Sequence, residues 1–68
     1  MNVTLNGEPQ ELRDHASVTD AVAASGAEPR GRGVAVAVDG EVVPRGEWDR
    51  HELRDGQQVE VLQAVQGG

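Results

Sequence analysis

The chain has no cysteine, no lysine, no phenylalanine and no tyrosine. Without cysteine there is no disulfide framework, no thiolate metal site and no side chain able to carry sulfur as a persulfide. Without lysine there is no side-chain amine, so the chain is not itself the target of an isopeptide bond. Trp48 is the only aromatic residue. The core therefore has to be aliphatic, built from Val, Leu and Ala, and a deep pocket for a bound cofactor is not expected. Long apolar runs are missing too. None approaches the roughly 18 residues of a membrane span, and the N-terminal stretch has neither the basic nor the apolar region of a secretion signal. The expectation is a soluble, cytoplasmic protein that makes no membrane contact.

Positive charge is also scarce. Twelve acidic residues face six arginines, for a formal net charge of −6. Nucleic acid is a poor partner for such a chain, because phosphates reward clustered cations. The stretch "RGRG" (Arg30 to Gly33) reads as an ordinary loop. Acidity fits a partner with a basic docking surface, and it also serves solubility. The 68 residues make one domain at most, and a chain this short buries only about 60% of the surface its unfolded form exposes.

What is present is organised by period and by turn residues. Val3 and Leu5 alternate with polar neighbours, Asn6-Gly7 follows, and Glu8 to Leu12 reads as the return strand of a hairpin. Ser17 is placed to cap a helix, with Asp20 assisting its first turn. Val18, Ala21, Val22 and Ser25 form one narrow helical stripe, Gly26 is placed to end the helix and Pro29 prevents its resumption. "VAVAV" (Val34 to Val38) reads as a strand, Asp39-Gly40 as a tight turn, and Glu41 to Val43 as a return stopped by Pro44. "RGEWDRHEL" is irregular or a single helical turn, with Trp48 closing one end of the core. After Asp55-Gly56, Val59 to Val65 is the final strand, with Val59, Val61 and Val65 on one face. Two hairpins separated by one helix bury that helix only by folding a single sheet across it, an α+β layout. A central last strand running parallel to the first would make it a ubiquitin-like β-grasp, a mixed sheet of four to five strands on one helix.

Catalytic equipment is thin. His15 and His51 are the only histidines and have no ligand spacing around them, so no metal site is expected and both read as exposed. The carboxylates are scattered, with no pair set apart for acid–base work. Ser17 and Ser25 belong to the helix ends.

The end of the chain is better suited to being a substrate. A domain over residues 1–65 holds the base of a reactive tail, residues 66–68, made of Gln66, Gly67 and Gly68. Lacking Cβ atoms, the glycines can thread a narrow channel. The terminal carboxylate is the only distinctive group left there. Activated as an acyl-adenylate, it can accept sulfide and become a thiocarboxylate. On the final strand, Leu62 and Ala64 fall on the face opposite the helix, as do Ala35 and Ala37 in "VAVAV". One helix cannot cover both sheet faces, so these four residues are candidates for a docking patch beside the tail.

The residues from Val36 to Gly68 carry a more specific signal. The V-P-R followed by tryptophan (Val43 to Trp48), the L-x-D-G turn (Leu53 to Gly56), the V-E-V strand and the terminal glycine pair resemble the sulfur carrier family of thiamine biosynthesis. "MNVTLNGEPQEL" and "SVTDAV" resemble that family's opening hairpin and helix, so the resemblance spans essentially the whole chain. Gln57 departs from it, since the family often has an acidic residue after the D-G turn. The resemblance implies a β-grasp fold and a protein co-substrate rather than an enzyme. It implies a ubiquitin-activating-type adenylyltransferase that uses ATP on Gly68, a cysteine desulfurase as sulfur source, and a thiazole synthase that takes the sulfur. The small subunit of molybdopterin synthase, a ubiquitin-like modifier and a non-covalent β-grasp adaptor are the alternatives.

Overall fold

The computed structural model describes residues 1–64. Val65, Gln66, Gly67 and Gly68, where the expected end of the last strand and the reactive tail fall, lie outside the described residues.

The first hairpin joins β1 (Asn2–Leu5) to β2 (Glu8–Glu11). Its turn places Asn6 at φ 50° and Gly7 at φ 84°, both left-handed, as a two-residue hairpin turn requires. The helix α1 (Val18–Ala24) begins with a full capping box. The Ser17 side chain accepts from the Asp20 backbone N–H, and the Asp20 carboxylate accepts from the Ser17 N–H at 2.8 Å. Gly26, at φ 89°, ends the helix as its sequence position predicts. The strands β3 (Val34–Val38) and β4 (Glu41–Val42) form the second hairpin, and a 3-10 turn over Arg45–Glu47 follows. The described part of β5 is Gln58–Gln63.

The sheet order is β2-β1-β5-β3-β4. β5 runs parallel to β1 and antiparallel to β3, so the last strand lies in the middle. This is the ubiquitin-like β-grasp arrangement. Parallel pairing of the first and last strands requires a long crossover, and the helix supplies part of it.

Alternation decides what is buried. Val3 and Leu5, Val36 and Val38, and Val59 and Val61 face the helix residues Val18, Ala21 and Val22 in one core with Val43, Trp48 and Leu53. The largest fully buried side chains are all valines: Val18, Val22, Val36 and Val59. Each contributes roughly 1.5–3 kcal/mol by burial. Since a folded domain is stable by only about 5–15 kcal/mol, so thin an aliphatic core has little redundancy.

Three strand ends differ slightly from the sequence expectation. β2 stops at Glu11, β4 at Val42 and β5 at Gln63. The hydrogen bonds nevertheless run one residue further: Leu12 N–H donates to Met1 O, Val43 N–H to Val36 O and Ala64 N–H to Gly33 O. Isolated bonds at a fraying ladder end do not extend the repeating pairing that defines a strand.

Trp48 is 3% exposed and its indole N–H donates to Val43 O at 2.9 Å, so it fills the core with its polar atom satisfied. The Arg45 guanidinium lies 4.5 Å above the indole ring centroid. It also donates to Pro29 O at 2.8 Å and to Gly31 O, fastening the loop between α1 and β3. The V-P-R…W stretch is thus a structural unit. The D-G turn is anchored likewise: Asp55 accepts from Asn2 N–H at 2.8 Å, and Gly56 N–H donates to Asn2 O at 2.7 Å. Gln57, the departure from the family pattern, bridges two turns. Its amide oxygen accepts from Arg54 N–H and its amide nitrogen donates to Asp39. An acidic residue there would set its charge against the Asp39 carboxylate.

The capping box generates a stability prediction. Ser17→Ala removes the side-chain acceptor and should cost about 0.5–2 kcal/mol, lowering the melting temperature by roughly 4–8 °C per kcal/mol for a domain this size. The Asp20 carboxyl is held below its usual pKa chiefly by the Ser17 N–H, with help from Arg13. Its contribution is therefore present above the unfolded value of about 3.9, and it is lost as pH falls through the lower folded value. Acid unfolding of Asp20→Asn should show a shallower pH dependence in that range than the parent.

Candidate functional site

β5 carries the chain toward its C-terminus from the centre of the sheet, with two faces of opposite character. Val59 and Val61 are buried against the helix, whereas Glu60 and Leu62 face outward, Leu62 being 65% exposed. Across the ladder Ala35 stands opposite Leu62, and Ala37 lies between Glu60 on one side and Val42 on the other. Ala35 and Ala64 are exposed and Ala37 is half-buried. Among the described residues, the expected patch of Leu62, Ala64, Ala35 and Ala37 therefore comes together on the helix-free side.

One member was missed in the sequence. Val42 is 76% exposed and, with Leu62, is one of the only exposed large hydrophobic side chains among the described residues. The signal was available: in Glu41-Val42-Val43 the buried Val43 forces Val42 to the opposite face. The patch is thus small and apolar, with Glu60 as its acidic neighbour.

The root of the tail is held from both sides. The Asn6 side chain accepts from Val61 N–H at 2.8 Å and donates to Val61 O at 3.2 Å. From the β3 side, Ala64 N–H donates to Gly33 O at 2.8 Å. Neither contact was legible in the sequence, where Asn6 reads only as a turn residue and Gly33 only as part of a loop. The expected reactive and threading positions Gly68, Gly67 and Gln66 are outside the described residues.

The histidines are not brought to the patch. His15, at φ 65° in an exposed turn, pairs through Nδ1 with the Glu52 carboxylate. His51 is half-buried rather than exposed, because its backbone is fixed between Val18 N–H and Glu47 O. Among the described residues no three His, Asp or Glu side chains are grouped so as to hold a metal ion. No helix among them is long and apolar enough to cross a membrane.

This topology and surface can be set against known proteins. The ThiS family model matches residues 3–68, nearly the whole chain and including the glycine pair. The chain belongs to the ThiS family. Its likeness to the sulfur carrier protein ThiS of Escherichia coli strain K12 is 38% identity over 39 residues. That stretch is 57% of this chain and 59% of the curated relative, so the alignment spans less than two thirds of it. The crystal structure of the thiamine biosynthesis protein ThiS from Geobacter metallireducens superposes with a TM-score of 0.74 at 33% identity, covering 100% of both chains. The solution structure of a thiamine biosynthesis protein from the same organism gives 0.76 at 33% identity, covering 100% of this chain and 88% of that one. The V-P-R…W and D-G elements named in the sequence are the ones that fasten loops and core.

The His15–Glu52 pair gives a measurable consequence. The hydrogen bond that the His15 ring donates to the Glu52 carboxylate, and then the charge of Glu52, raise the His15 pKa above the ordinary value. A raised folded pKa means that any stabilisation is present below about pH 6.5 and is lost as pH rises through the folded value. An NMR titration of the His15 ring should show a midpoint above that of a free histidine, and Glu52→Gln should bring it back down. An unaltered midpoint in Glu52→Gln would show that the pair does not form in solution.

Proposed function

We propose that this ThiS-family protein is a sulfur carrier in thiamine biosynthesis, and that its reactive group is the carboxylate of Gly68. The observation that carries this reading is the family match running through the terminal glycine pair. The absence of cysteine and lysine supports it, since the chain has no thiol or side-chain amine to compete with the carboxylate as a carrier.

In this reading a ubiquitin-activating-type adenylyltransferase binds ATP and receives the tail. A Gly68 carboxylate oxygen attacks the α-phosphorus, pyrophosphate leaves, and an acyl-adenylate forms. A persulfide supplied through a cysteine desulfurase then attacks the carbonyl carbon and AMP departs, leaving an acyl disulfide. A thiol of the sulfur-donor system cleaves its S–S bond, forming a disulfide with the departing sulfur and releasing the thiocarboxylate. A thiazole synthase takes that sulfur into the thiazole ring. The carrier is a co-substrate throughout: ATP is held by the partner, and residues 1–65 present the tail 66–68. A cytoplasmic location belongs to this reading because the activation step draws on ATP.

Docking is assigned to Leu62, Ala64, Ala35 and Ala37, now with Val42. They form an apolar patch on the sheet face without a helix, close to the root of the tail. Desolvating such a patch supplies affinity, while Glu60 and the overall negative charge favour approach to a basic surface.

Adding one residue after Gly68 should leave the circular dichroism spectrum unchanged and abolish ATP–pyrophosphate exchange with the activating enzyme. Intact mass after incubation with ATP, that enzyme and a sulfur donor should show the exchange of one oxygen for sulfur. Conjugates to other proteins would indicate a modifier, and normal exchange by the extended chain would reject Gly68 as the reactive group.

Leu62→Asp should weaken binding to the activating enzyme by roughly 1–3 kcal/mol, the range for a residue in an interface core. Its melting temperature should stay near the parent's, because the side chain is already 65% exposed. Unchanged affinity for both the activating enzyme and thiazole synthase would remove the patch from the docking surface.

A further inference from the structure

β5 and the residue that follows it are gripped by two groups that core packing does not require. On the β1 side, the parallel ladder ends at Leu5 opposite Val59, and the chain turns away at Asn6. The Asn6 backbone N–H donates to Val59 O at 2.9 Å. Its side chain then takes the place of a strand residue, accepting from Val61 N–H and donating to Val61 O. A carboxamide offers a peptide-like donor and acceptor together. Asparagine is also one of the few residues that adopt a left-handed φ, here 50°, at little cost.

On the β3 side Gly33 has φ 73°, and its carbonyl accepts the Ala64 N–H. A Cβ on Gly33 would stand 3.1 Å from Ala64 Cβ, so a side chain there presses on Ala64 as well as straining its own backbone. Gly33 and Asn6 are both exposed, so neither is kept for burial.

We propose that Asn6 and Gly33 are positioning residues that fix the direction in which the chain leaves the sheet after Ala64, and so deliver the terminal carboxylate to the partner's adenylation site. This rests on the reading of Gly68 as the reactive group. Val65 to Gly68 extend at most about 14 Å. A misplacement of the reacting group of about 1 Å can cost a hundredfold in rate. The proposed docking patch lies on the outer sheet face, to which Asn6 contributes nothing, whereas a side chain on Gly33 would meet the patch residue Ala64. The Asn6 variants therefore separate the two steps.

The test measures ATP–pyrophosphate exchange by the activating enzyme as a function of carrier concentration, using the full chain and Asn6→Ala, Asn6→Asp and Gly33→Ala. All assays are run well below the lowest melting temperature of the set. Asn6→Ala and Gly33→Ala should lower the maximal rate by about tenfold, with KM for the carrier changing by less than about threefold in Asn6→Ala, whose residue lies outside the patch. Asn6→Asp keeps the left-handed turn and the acceptor for Val61 N–H, so it should recover part of the rate. A parental maximal rate in Asn6→Ala and Gly33→Ala, whether melting falls or KM rises, would overturn the proposal and leave these contacts a structural role. Should Gly33→Ala fail to fold, the two Asn6 variants decide alone. The chain extended beyond Gly68 separates the two levels. If it supports exchange as the parent does, the Gly68 reading fails and takes this inference with it. If it is inert while the Asn6 and Gly33 variants match the parent, only the positioning role fails.

Discussion

β5 lies between β1 and β3, parallel to one and antiparallel to the other, and most of the structure is arranged to allow it. Its inward residues Val59 and Val61 reach the helix only when both neighbouring strands are in place. The Asp55-Gly56 turn, bound to Asn2, sets where β5 begins beside β1. Asp39 accepts from Gln58 N–H and from the Gln57 side chain, tying the second hairpin's turn to the same point. Those bonds also hold the Asp39 carboxyl below its usual pKa, the Gln58 N–H most of all. The start of β5 is thereby fixed by polar contacts, and its middle by valine burial.

With so little apolar volume available, a single tryptophan has to complete the core. Trp48 does so with its N–H satisfied by Val43, and Arg45 covers its ring while fastening the Pro29–Gly31 backbone. The most recognisable sequence pattern in the chain therefore answers a packing problem. It marks how the fold is closed, whereas the proposed sulfur chemistry is assigned to the carboxylate of Gly68.

Among the described residues, a single α-helix and a five-stranded sheet leave one sheet face uncovered. Here that face carries Leu62, Val42 and the alanines of β3. Small side chains at Ala35 and Ala37 keep the surface low, so that a partner can approach the strands closely. Leu62 of the patch lies on β5, the strand that precedes the proposed reactive end in the chain.

The sequence by itself determined the elements, their turns and their inward faces. Alternation in "VAVAV" and "VEV", the Asn-Gly and Asp-Gly turns, and Ser17 with Asp20 act over a few residues, so they can be read without knowing the fold. Leu62, Ala64, Ala35 and Ala37 followed from the same period, and Val42 would have followed had the alternation been carried one strand further. The Asn6 bonds to Val61, the Ala64 N–H bond to Gly33 O, the Gln57 bridge to Asp39 and the Arg45 grip on the Pro29–Gly31 loop were decided by tertiary structure alone. Their partners lie from 14 to 55 positions away in the chain. Side-chain hydrogen bonds over such separations leave no periodic trace in the sequence, because they depend on which strands become neighbours, and only the closed sheet sets that.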